Sequence, residues 1–84
     1  MTSMETIKQV YRVDRKEISF LRFLFEGYDG IAVIKTIDPQ KGVILFYIAP
    51  GCEDVVEKIL NDFKQEIMIE KLPLESLTAD DLEP

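Results

Sequence analysis

Histidine is absent from the 84 residues, and with it the commonest general base and the commonest metal ligand. Tryptophan is absent too, and the single cysteine, Cys52, has no partner for a disulfide within the chain. No Walker loop, paired-cysteine metal motif or nucleophile elbow occurs. An enzyme with its own active site is therefore not expected, and neither is a cofactor. The one opening for chemistry is thiol reactivity at Cys52, which follows Pro50 and Gly51 at the expected start of a helix, a setting that reactive thiols use. No histidine is available as its base, and Glu53 and Asp54 crowd it with negative charge, so Cys52 reads as a structural residue.

No apolar run approaches the roughly 18 residues of a membrane-spanning helix, so no membrane segment is expected. The amino terminus lacks the basic segment and apolar stretch of a secretory signal, which makes the cytoplasm the expected compartment. Basic charge is also scarce. The net charge is -6, and the tail after Leu72 holds Glu75, Asp80, Asp81 and Glu83 with no base, leaving -2 for residues 1–72. Neither part has the basic stripe that phosphate neutralisation demands, so nucleic acid is not an expected partner. Tyr11, Phe46 and Tyr47 fall on presumed central strands, as in RNA-recognition modules, but the third strand lacks that signature's basic and glycine positions.

What is present is a globular balance of 46% apolar and 31% charged residues, in a chain of the size where association often supplements a single core. From Thr6 to Val13 the apolar period is two, which predicts a strand. Asp14 and Glu17 have the spacing of a capping box ahead of Ile18, Leu21, Leu24, Phe25 and Tyr28, a helical stripe that Gly27 or Gly30 can end. Ile31 to Asp38 is rich in β-branched residues and reads as a second strand. The segment "DPQKG" then supplies a turn, and the returning strand is "GVILFYIAPG", Gly42 to Gly51. A second helix is predicted from about Cys52 to Gln65 on Val55, Val56, Ile59, Leu60 and Phe63, and a short fourth strand from Ile67 to Leu72.

The order β-α-β-β-α-β predicts an α+β fold. It is the ferredoxin-like two-layer sandwich, a four-stranded antiparallel sheet with first and third strands central and both helices on one face. The domain is expected to span residues 6–72, and residues 73–84 form an acidic, flexible C-terminal tail.

The third strand is apolar on both faces. Val43, Leu45, Tyr47 and Ala49 point one way and Ile44, Phe46 and Ile48 the other, so one set packs under the helices and the other needs a cover. A second copy of the chain is the expected cover, with Ile44, Phe46 and Ile48 at the interface and Phe20 and Phe23 adding a patch on the first helix. The alternative is that Leu74, Leu77 and Leu82 of the tail fold back over that face. In "EGYDG", Glu26 to Gly30, two glycines bracket an aromatic and an acid. A helix stop and turn explain both glycines, and the functional reading makes Tyr28 and Asp29 the polar rim of an interface cleft.

This element order resembles the ACT-like branch of ferredoxin-like folds, over residues 6–72. These are small regulatory modules that pair through their sheets and bind amino acids or similar metabolites at the interface. The connection "VDRKEI", Val13 to Ile18, departs from that pattern in having no glycine. The segment "FLFEGYDGIAVIKTIDP", Phe23 to Pro39, is also similar to a small bacterial family of stand-alone domains with no assigned activity. The resemblance implies a dimerising regulatory or small-metabolite binding module, with Asp14, Arg15, Tyr28 and Asp29 as the candidate ligand-binding residues. The second expectation is a structural or adaptor dimer that engages another protein through its sheet face or acidic tail.

Overall fold

The computed structural model describes residues 7–28, 30–78 and 81. Four strands form one open sheet: β1 (Ile7–Val13), β2 (Ala32–Asp38), β3 (Val43–Ile48) and β4 (Ile69–Leu72), in the order β2-β3-β1-β4 with every neighbouring pair antiparallel. The helices α1 (Ile18–Glu26) and α2 (Glu53–Phe63) connect β1 to β2 and β3 to β4. The α+β expectation and the central position of the first and third strands both hold. No helix among the described residues is long and apolar enough to cross a membrane.

Both helices bury their apolar stripes against the same sheet face. Ile18, Leu21 and Phe25 of α1 and Val56, Ile59 and Leu60 of α2 form one core with Tyr11, Val13, Ile34, Ile44, Phe46 and Ile48. Val55 and Tyr28, assigned to the stripes by spacing, fall outside the core and are exposed. Phe46 is the hub of that core, with Phe25 and Tyr11 set edge-on to its ring at centroid distances of 5.1 and 5.4 Å.

This placement corrects the expectation for the third strand. Ile44, Phe46 and Ile48 are 0% exposed beneath the helices, so in this fold they are core and not interface. Both sets on β3 are largely apolar, so alternation alone does not decide which is inward. The thick layer between sheet and helices takes the set with the phenylalanine, whose ring needs that depth.

Local chemistry sets the connections. Asp14 caps a 3-10 turn, Arg15–Glu17, by accepting from the Lys16 N–H at 3.3 Å, and α1 follows directly. In the hairpin turn, the Asp38 carboxylate accepts from the Gln40 and Lys41 N–H groups at 3.0 and 3.1 Å, and its carbonyl accepts from the Gly42 N–H at 2.9 Å. Gly42 has φ +77°, and its carbonyl in turn accepts from Val13 N–H at 2.8 Å, tying the hairpin to the end of β1. A side chain at Gly42 would run into the Val13 carbonyl oxygen, so close backbone approach as well as φ demands glycine here.

Candidate functional site

α1 presents more apolar surface to solvent than its core stripe can use. Phe23 is 76% exposed and Phe20 40%, although Phe20 has its ring edge-on to Phe63 of α2 at 5.4 Å. Leu24, half-buried, and Tyr28, exposed just past the helix end, continue the surface. Together with Glu26 and Gly27 these residues line a cleft of about 490 Å³. A hollow of about 210 Å³ between α1 and β2 lies beside it, sharing Glu26 and adding Arg22 and Val33. Gly27, which lines the cleft, closes α1 in a right-handed conformation, its N–H donating to the Leu24 carbonyl at 3.2 Å.

The sequence-derived ligand residues do not converge within one chain. Asp14 and Arg15 lie at the start of the α1 segment and Tyr28 past its end, about 20 Å apart at the helical rise of about 1.5 Å per residue. Asp14 is occupied with its cap and with an ion pair to Lys16 at 3.8 Å. Asp29 lies outside the described residues. Cys52 is half-buried against the core as the residue before α2 and makes no side-chain capping bond.

Among the described residues no group of three His, Cys, Asp or Glu side chains is placed to hold a metal. The strongly shifted titrating group among the described residues is Tyr11, pushed up to about 12 mainly by burial, with the Glu57 carboxylate adding to it. Its hydroxyl donates to Gln9 Oε1 at 2.8 Å, and its ring is part of the core. The shift therefore records packing, and at neutral pH this phenol holds its proton.

The opposite sheet face carries a second constellation, which the sequence reading left undecided. Cross-strand register places Lys35, Leu45, Val10 and Leu72 in one row across β2, β3, β1 and β4. Val10 is 1% and Leu45 0% exposed, yet neither belongs to the helix-side core. Lys8 and Arg12 flank the row. The Lys8 ammonium lies 6.0 Å from the Tyr47 ring centre, and Arg12 pairs with Glu70 at 3.4 Å.

On this face lies the C-terminal segment. After β4 a 3-10 turn, Leu74–Ser76, sits against β1, and farther on the Asp81 carbonyl accepts from Lys35 Nζ at 3.0 Å. Thr78 and Asp81 bond reciprocally, Thr78 N–H to Asp81 Oδ2 at 3.1 Å and Asp81 N–H to Thr78 Oγ1 at 3.3 Å. That is a capping box, and the spacing of Thr78 and Asp81 after Leu77 was the signal for it. The leucine foreseen to join this cover from farthest along the tail, Leu82, lies outside the described residues.

The sequence comparison decides the family. A family model described as a domain of unknown function, DUF4911, matches residues 11–67. The chain belongs to the DUF4911 family. The matched span runs from within β1 to just short of β4, so it takes in α1 with its cleft and leaves the segment after Leu72 outside. No curated protein and no solved structure matches the chain. The family description attaches no activity or ligand to the DUF4911 domain, so the function must be argued from its surfaces.

Proposed function

We propose that this chain is a non-enzymatic, cytoplasmic binding module of the ACT-like kind, which dimerises through α1 and holds a small metabolite or amino acid at that interface. The observation that supports this reading is the apolar cleft at the end of α1, with Phe23 exposed beside it. Its volume lies within the range of small-molecule sites, about 300 to 1,000 Å³. Its lining offers an apolar wall with one carboxylate, Glu26, and one phenol, Tyr28, a donor set suited to an ammonium group on an apolar side chain.

A two-fold contact in which two α1 helices pack antiparallel explains why the ligand residues lie apart in one chain. The two-fold sets the start of one helix beside the end of the other. Asp14 and Arg15 of one protomer then flank Glu26 and Tyr28 of its partner, and Arg15 meets Glu26 with opposite charge.

Light scattering on the wild type and on Phe23→Ser tests this. The wild type is expected to have the mass of a dimer and the variant that of a monomer. One or more of the twenty amino acids at millimolar concentration is expected to raise the unfolding temperature of the dimer, because a ligand that binds only the native state must stabilise it. A monomeric wild type, or a dimer that Phe23→Ser leaves intact, rules out this interface. A dimer that no amino acid stabilises favours the second reading, an adaptor that binds another protein, for which the acidic segment on the sheet face is the supporting observation.

A further inference from the structure

The C-terminal segment is joined to β4 at one edge of the sheet and bonded to β2 at the other. Three strand spacings separate those edges, about 14 Å at about 4.8 Å each. From Leu72 to Asp81 the chain advances nine residues, more than enough to cross even with a 3-10 turn on the way. On that face Val10 and Leu45 are both sealed from solvent, on the side of the sheet opposite α1 and α2. Among the described residues the face carries Lys8, Arg12 and Lys35 against two acids, Glu70 and Asp38, the latter opposite Val43, whereas residues 73–84 carry four acids and no base. Face and segment therefore match in charge, a face with one more base than acid against a segment with four acids, and the bond from Lys35 to the Asp81 carbonyl joins them.

We propose that this sheet face is a docking surface for an acidic, leucine-bearing segment, and that its partner in trans is the C-terminal segment of a second copy. The identical contact serves both cases, so exchanging segments between two chains loses none of the bonds seen within one. The backbone permits it. The 3-10 turn is flanked by two extended residues, Pro73 at ψ 142° and Leu77 at ψ 152°, and rotation at either redirects the chain beyond it. At low concentration the segment covers its own face, because the tether gives it an effective concentration of about millimolar. At protein concentrations approaching that value, two chains cover each other.

Isotope mixing with the full-length chain tests this. Equal amounts of unlabelled and nitrogen-15 chain are unfolded together, refolded at low and at high concentration, and treated with a carbodiimide that joins lysine amines to nearby carboxylates. Peptides linking Lys35 to residues 73–84 are then weighed. In dilute samples they are expected to be wholly light or wholly heavy, and in the dimer fraction of concentrated samples about half should be mixed, as random pairing of exchanged chains requires. Links that stay unmixed in that fraction, or a chain that stays monomeric at every concentration, overturn the exchange, and absence of any Lys35 link overturns the docking surface itself. If Phe23→Ser abolishes the dimer while links remain unmixed, the α1 interface stands and this inference fails. If mixed links survive Phe23→Ser, the reverse holds.

Discussion

Replacing Gly42 with alanine combines two costs that the structure separates. The first is conformational: φ is +77°, and a side chain in the left-handed region costs about 1 to 2 kcal/mol. The second is steric. The added methyl collides with the Val13 carbonyl oxygen and lies 3.1 Å from Val13 C and 3.4 Å from Arg15 N, all backbone atoms, beside the bond from Val13 N–H to the Gly42 carbonyl. Forcing an extra methyl into packed surroundings costs about 1 to 3 kcal/mol. Gly42→Ala should therefore destabilise by about 2 to 5 kcal/mol, a large part of the 5 to 15 kcal/mol of a typical domain. Gly51 provides the control, with φ +89° and no atom within 4 Å of an added methyl, so Gly51→Ala carries only the first cost. Urea unfolding followed by circular dichroism measures both variants, and thermal midpoints should fall by about 4 to 8 °C per kcal/mol in a domain of this size. Equal losses at the two positions would refute the close approach of the hairpin to β1.

Other perturbations probe the remaining features. Phe46→Ala should cost about 3 to 5 kcal/mol, as expected for a ring at the centre of a core. Phe23→Ala, measured on dilute monomer, should stay within about 0.5 kcal/mol, and a reversal of that order in urea midpoints would contradict the orientation of β3 and α1. Tyr11 titrates at about 12 in the fold and at 10.0 in the unfolded chain, so it favours folding fully below pH 10 and loses that contribution as pH rises towards 12. At about 1.4 kcal/mol per pH unit the loss is on the order of 2 kcal/mol, and Tyr11→Phe should lack this component when stability at pH 9 is compared with pH 11.5. Asp38→Ala removes the acceptor for two turn amides and should lower stability by about 1 kcal/mol, leaving the β2 to β3 register intact by amide exchange.

The element order was legible because each period was clean. Ile18, Leu21 and Phe25 repeat as a helix, and "DPQKG" carries a turn in its residue types. The inward set of β3 was not legible, because both Ile44, Phe46 and Ile48 and the alternate set with Val43 and Leu45 are largely apolar, and packing against Phe25 and Tyr11 identifies the inward one. The site was legible in part. Phe20, Phe23 and Tyr28 do share one surface, whereas Asp14 and Arg15 stand at the far end of the same helix. The contact between Lys35 and Asp81 joins residues 46 apart, and no local pattern reports a pairing at that distance. Its traces were indirect: the capping spacing at Thr78 and Asp81, and a tail rich in acids beside strands that carry Lys8, Arg12 and Lys35.

The strand order has a consequence for how the chain acquires its shape during synthesis. β1 emerges first of the four strands yet lies inside the sheet, with β3 on one side and β4 on the other. A nascent chain that has completed α1 and the β2 to β3 hairpin can pair β1 along one edge only. The other edge, and Val10 beside it, stays bare until β4 and the segment behind it have been made. Contacts so distant in sequence form late and slowly. An unpaired inner strand with a sealed apolar row is also the kind of edge that recruits neighbouring chains. On a polysome, where copies of this chain stand close together, the interval before β4 appears is when association between chains competes most directly with folding.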